Sequence, residues 1–259
     1  MTLIFGARCT DGVVLVSDRL VRSGEFVGHN AEKVRKCENI PWAIFGAAGL
    51  ENLFEEFLTI LPQNVNRRLS WITYQNAKLK KDREDTFGNN PDAPNPPYFE
   101  YSVVDFKQDC VELLTDMKKR YSVAFENDDE CALQILIAVN ARDDLAKLYY
   151  LESTNCLPVE VPEAVFIGYN PIVEIFRKCW NKSMNMVQSA KIGAFAIKYV
   201  ETDEITKNVG VGKGLPQIWC IPDGGQTKEI IGVPLSTIMA DVDKEVKAVY
   251  EHLHSLFRS

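Results

Sequence analysis

Residues 1–19 read MTLIFGARCTDGVVLVSDR, and the fold of the whole chain turns on how this stretch is read. Leu3 to Cys9 and Val13 to Ser17 are β-rich runs, and Thr10-Asp11-Gly12 between them carries the Asp-Gly turn chemistry that supplies positive φ at little cost. The pair predicts a hairpin, and pairing about Asp11-Gly12 places Asp18 opposite Phe5. Thr2 stands just ahead of the first strand. A Ser or Thr behind Met commonly reflects translation and trimming alone, so Thr2 in isolation carries little. If Met1 is trimmed, Thr2 gains a free α-amine of pKa about 7.7 to 8.0. Hydroxyl and base then share one residue, the threonine form of an activated nucleophile.

Outward from this stretch, Ser23-Gly24 separates Leu20-Val21 from Phe26-Val27 as a second hairpin signal. A third apolar run, Trp42-Ala43-Ile44-Phe45, ends in Gly46-Ala47-Ala48-Gly49. Leu50, Leu53, Phe54, Phe57, Leu58 and Leu61 then repeat at helical spacing, and Pro62 is expected to end the helix. Lys78 to Pro97 reads KLKKDREDTFGNNPDAPNPP, too polar for a packed core, which predicts an exposed or mobile loop inserted within one domain over 1–259. Phe106, Cys110, Leu113, Leu114, Met117 and Tyr121 fit one helix face, Leu133 to Val139 reads as a buried strand, and Lys147 to Glu152 is expected to pair with it. Asn170-Pro171 signals a helix start, with Ile172, Ile175, Phe176, Cys179 and Trp180 as its apolar stripe. A helix from about Ser183 to Val200 follows, then strands at Gln217 to Ile221 and Glu229 to Ile231, and a final amphipathic helix carrying Val242, Val246, Val249, Leu253 and Leu256. Segregated runs of strands and helices in this order predict sheets with helices on their outer faces.

Composition narrows the function classes. The 259 residues are 46% hydrophobic and 25% charged, which excludes wholesale disorder. A formal net charge of −7 disfavours a nucleic-acid-binding surface. No apolar run approaches the roughly 20 residues that span a bilayer, and no basic region followed by an apolar core opens the chain, so a cytoplasmic protein without a membrane partner is expected. Seven cysteines with no C-x-x-C pair read as buried free thiols. His252 and His254 fall in a helix-like segment, where residues two apart diverge, so no metal site is expected. Gly210-Val211-Gly212-Lys213-Gly214 fails the phosphate-loop pattern, which needs Ser or Thr after the lysine, and reads as a turn.

Thr2-Leu3-Ile4-Phe5-Gly6, Asp11 to Asp18, Gly24, Glu32-Lys33-Val34 and Ala48-Gly49 resemble, in order and nearly in spacing, the start of proteasome β-type subunits and of the bacterial proteasome-related peptidases, the ancestral β-subunit family among them. In that family an N-terminal Thr is the nucleophile, an Asp closes the second strand, a Lys follows on the third, and a Gly after Ala donates an oxyanion-hole amide. The resemblance assigns these roles to Thr2, Asp18, Lys33 and Gly49. A lysine ammonium near the Thr2 hydroxyl favours its deprotonated form, a carboxylate holds that lysine, and a backbone N–H at a helix mouth stabilises a tetrahedral oxyanion. By analogy, Ala31 and Ala47 line the specificity pocket.

The likeness thins further along. Where such subunits carry Gly-Ser-Gly before a helix, this chain has Ile167-Gly168-Tyr169-Asn170, and Asp203 or Glu204 stands near the place of a later family acid. Val209-Gly210 followed by Leu215-Pro216 is similar to the ancestral group. The resemblance implies an α+β fold, a four-layer αββα sandwich of two antiparallel sheets flanked by helices. It further implies an N-terminal nucleophile hydrolase that cleaves peptide bonds without cofactor or metal. Its partners would be a peptide or unfolded protein substrate, further copies of the chain in a ring or stack, and an unfoldase. Two other readings stay open: a protein ligase or transpeptidase using the same acyl-enzyme, and a catalytically inactive structural ring subunit.

Overall fold

A computed structural model of the chain describes residues 2–23, 26–30, 32–37, 40–88, 90, 94–95, 98–126, 133–140, 145–168, 173–202 and 214–257. The order is β1 (Ile4–Cys9), β2 (Gly12–Ser17), β3 (Leu20–Ser23), β4 (Phe26–Asn30), β5 (Val34–Cys37), β6 (Ile40–Gly49), α1 (Glu51–Phe87), α2 (Val103–Arg120), α3 (Ser122–Glu126), β7 (Leu133–Val139), β8 (Lys147–Glu152), β9 (Val159–Glu160), β10 (Ala164–Ile167), α4 (Val173–Arg177), α5 (Met186–Thr202), β11 (Gln217–Pro222), β12 (Lys228–Glu229) and α6 (Gly232–Phe257).

Strand alternation builds the layers. On β1 and β2, Phe5, Ala7, Cys9, Val14 and Val16 pack under α5 and α6 with Ala190, Ala194, Ile238 and Met239. Their neighbours Ile4, Val13 and Leu15 face the opposite way, into a second core shared with Ile44, Leu136, Ala138 and Leu148. On the far side of β6 and β7, Phe45, Ile135 and Ile137 meet Phe57, Leu61, Phe106 and Leu114 of α1 and α2. The result is two five-stranded antiparallel sheets, β10-β1-β2-β11-β12 and β5-β6-β7-β8-β9, stacked face to face between two helical layers. This is the four-layer αββα sandwich expected. Both faces of each inner strand are buried, which is why these runs are continuously apolar. The small β3-β4 hairpin forms a sheet of its own. Among the described residues no helix is long and apolar enough to cross a membrane.

Several expectations need correction. The first hairpin pairs Cys9 with Gly12 and Ile4 with Ser17, so Asp18 continues opposite Leu3 rather than Phe5. Gly12 is the first strand residue instead of a turn residue, and a Cβ there would lie 2.2 Å from the Ile221 carbonyl oxygen on β11, which leaves room for glycine alone. Pro62 does not end its helix: α1 continues for 37 residues in all, with Val65 and Ile72 still buried beyond the proline. Burial against the sheet and α2 sustains the helix where local preference argues for a stop. Lys78 to Phe87 is consequently helix rather than loop, although it is largely exposed as expected. β10 has no counterpart in the sequence reading. Cys179 is exposed, while Cys9, Cys37, Cys110, Cys156 and Cys220 are buried as expected. The start signal Asn170-Pro171, the acids Asp203 and Glu204, and the glycines from Gly210 to Gly212 lie outside the described residues.

Candidate active site

The site is assembled at one end of the interface between the sheets. Past Ser17, β2 runs on as an extended pair with the chain ahead of β1: the Asp18 amide donates to the Leu3 carbonyl at 3.2 Å, and the Leu3 amide donates to Asp18 Oδ1 at 2.9 Å. The other carboxylate oxygen, Oδ2, accepts a hydrogen bond from Lys33 Nζ at 2.7 Å. One carboxylate therefore holds both the peptide that follows Thr2 and the Lys33 ammonium. The pair is enclosed, with Asp18 and Lys33 side chains 0% and 5% exposed. Burial pushes Lys33 below the ordinary lysine range, while Asp18 pulls in the opposite direction. An enclosed pair of this kind loses hydration and returns little net stability, so its presence calls for another reason.

Gly49 joins the group through strand register. Lys33 lies opposite Ala47, whose amide donates to the Lys33 carbonyl at 3.1 Å. Alternation along β6 aims the Gly49 amide the same way two residues later, past the point where β5 begins. Gly49 has a φ of 116°, is exposed, and directly precedes Leu50, the start of α1, which provides no side-chain cap. The first amides of α1 thus begin here without a side-chain acceptor, at the positive end of the helix dipole.

Thr2 is half-buried, and its backbone is seated against Gly168 just beyond β10. Gly168 has a φ of 88°, and a Cβ there would fall 1.8 Å from the Thr2 carbonyl oxygen. The Gly168 amide in turn donates to Gln134 Oε1 on β7 at 2.9 Å, tying this seat to the second sheet. Of the residues singled out from sequence, Asp18 and Lys33 meet directly, Thr2 adjoins their contact through the Leu3 amide, and Gly49 borders it through β6. Ala47 is buried in β6, and Ala31 and Tyr169 lie outside the described residues.

Sequence reasoning missed two glutamines. Gln217 opens β11 and is 1% exposed. Its Oε1 accepts from the Val34 amide at 3.1 Å and lies 3.5 Å from Ser17 Oγ, so one side chain touches the residue after Lys33 and the residue before Asp18. β5 is an edge strand, and this bond satisfies an amide that the sheet leaves unpaired. Gln217 Nε2 has no hydrogen-bond partner among the described residues. Gln134 and Gln217 both stand in otherwise apolar, buried strands, and that placement was the available signal.

No family model and no curated protein sequence matches the chain. Solved structures do resemble it. Anbu (ancestral beta-subunit) from Yersinia bercovieri is similar with a TM-score of 0.65 and 13% sequence identity, over 99% of this chain and 97% of that one. At this identity the likeness is one of fold, a proteasome-like sandwich spanning essentially both chains from end to end.

Proposed function

We propose that this chain is a threonine-type peptidase that acts through Thr2 once the residue ahead of it is removed. The freed α-amine takes the hydroxyl proton as Thr2 Oγ attacks the scissile carbonyl carbon. The Gly49 amide receives the developing oxyanion. Collapse of the tetrahedral intermediate breaks the peptide C–N bond, the amine fragment leaves with the transferred proton, and the acyl group remains as an ester on Thr2. Water, activated by the same amine, then releases the acid and restores the hydroxyl.

The observation that carries this reading is the buried Lys33–Asp18 ion pair clasping the Leu3 amide. It would bring a fixed positive charge to the neighbourhood of Thr2, lowering the pKa of amine and hydroxyl alike. Support at the level of fold comes from the likeness to a protein named as an ancestral beta-subunit. The test is peptide turnover by the purified chain, with Thr2→Ala as control. Cleavage should rise with pH through about 7 to 8 as the amine loses its proton, and should vanish in the variant. Turnover undiminished by Thr2→Ala would sink the proposal. A product joined to an added amine would reassign the site to a ligase, and a trimmed chain without turnover or covalent labelling would leave a structural subunit.

A further inference from the structure

The last part of α1 has no core beneath it. Ile72 is the final buried residue, and from Thr73 to Phe87 the helix continues for roughly 22 Å at about 1.5 Å per residue. Residues 94–95 and 98–101 lie along one side of this arm. Asn76 exchanges two hydrogen bonds with the Phe99 backbone, each 2.8 Å, Arg83 Nε donates to the Pro94 carbonyl at 3.2 Å, and Trp71 meets the Phe99 ring. A different face stays open. It is a stripe at helical spacing made of Lys78, Lys81, Asp82 and Asp85, all exposed. Toward the body of the molecule the same stripe continues into Tyr74, exposed to 64%.

The charge order of this stripe is two lysines followed by two aspartates. Pairing within the helix would join Lys78 to Asp82 and Lys81 to Asp85, with lysine on the N-terminal side, the weaker orientation. Neither pair forms, whereas Lys247 and Glu251 on α6 do approach at the same spacing, to 3.8 Å. Against a second copy running antiparallel, every charge in the stripe meets its opposite. Against a parallel copy, lysine faces lysine.

We infer that two copies of this chain pair antiparallel along this stripe, about a two-fold axis between residues 81 and 82. Lys78 then faces Asp85 of the second copy, Lys81 faces its Asp82, and symmetry repeats both contacts. The end of the second helix, at Phe87, arrives near Tyr74 and covers aromatic surface that is otherwise exposed. A polar helix projecting without a core is marginal by itself, and a partner of its own kind gives it charge-paired contacts along its length. The inference is independent of the chemistry at Thr2.

Sedimentation of the full chain over a range of concentrations tests it, with two charge reversals, Lys78→Glu with Lys81→Glu and Asp82→Lys with Asp85→Lys. Each reversal alone should weaken self-association by about tenfold or more, and an equimolar mixture of the two should restore it. Raising salt from about 0.05 to about 0.5 M should weaken the wild-type contact in the same direction. Circular dichroism of each variant checks that the helix is kept, and Lys78→Gln with Lys81→Gln gives a milder version of the first reversal. Wild type that stays monomeric, unchanged association in both reversals, or a mixture that fails to recover each overturns the inference.

Discussion

Lysine meets aspartate in two very different settings in this molecule. Lys33 and Asp18 are enclosed between the two sheets at 2.7 Å, while Lys78, Lys81, Asp82 and Asp85 lie in solvent on the arm of α1. The same chemistry has opposite meaning in the two places. In water, exposed charges cost little and return roughly 0–1 kcal/mol as pairs, so their arrangement speaks to partners more than to stability. Between the sheets each charge loses its hydration, and the pair returns little net stability for what it loses. The enclosed pair beside a hydroxyl residue is therefore the place where the proposed chemistry and the stability of the fold can be set against each other.

The largest effects should therefore come from the enclosed pair. Asp18→Asn removes the partner of a buried ammonium and should cost about 3–5 kcal/mol in denaturant unfolding, along with all covalent labelling at Thr2. Lys33→Met with Asp18→Asn, which keeps an oxygen to accept from the Leu3 amide, should regain most of that stability and none of the labelling, which separates the two roles of the pair. pH gives a further handle. Burial holds Lys33 below its unfolded value of 10.5, so between its folded and unfolded pKa the unfolded chain binds more protons. Stability should rise with pH across that alkaline window and the increment should be lost as pH falls through the folded value. Lys33→Met should flatten the slope, and an unchanged slope would show that the ion pair is not as enclosed as described.

Next in size are the backbone supports. Gly168→Ala pushes on the Thr2 carbonyl, and a displacement of about 1 Å at a nucleophile is enough to slow labelling roughly 100-fold. Wild-type labelling by this variant would mean that the seat does not position Thr2. Gln217→Leu leaves the Val34 amide unpaired and should cost about 1–3 kcal/mol, with labelling reduced further than Thr2-distant variants of equal stability. The smallest effect belongs to the arm. Lys78→Gln in dilute protein should change thermal stability by less than about 0.5 kcal/mol, and a larger loss would place that lysine in the fold rather than on a docking face.

How much of this was legible depended on whether one strand or several carried the information. Leu133 to Val139 was read residue for residue because a strand buried on both faces is an unbroken apolar run. The helix stripe at Phe106, Cys110, Leu113, Leu114 and Met117 was read because all five face one core. Pro62 misled because local helix rules do not register the sheet and α2 that carry α1 past it. The hairpin register slipped because the Asp-Gly turn signal is local, whereas Gly12 pairs with Pro222 of β11, some two hundred residues away. Thr2, Asp18, Lys33 and Gly49 were found through a resemblance. Their contacts were beyond sequence reading, since Asp18 follows a strand of one sheet and Lys33 precedes a strand of the other. The bond from Gly168 to Gln134 likewise crosses between sheets.

The most direct test is intact mass spectrometry of the purified protein before and after exposure to a threonine-directed epoxyketone. The expected result is a chain that begins at Thr2, one adduct on wild type, and none on Thr2→Ala. A chain that keeps a residue ahead of Thr2, or equal labelling of wild type and variant, would contradict the assignment of Thr2 as the nucleophile.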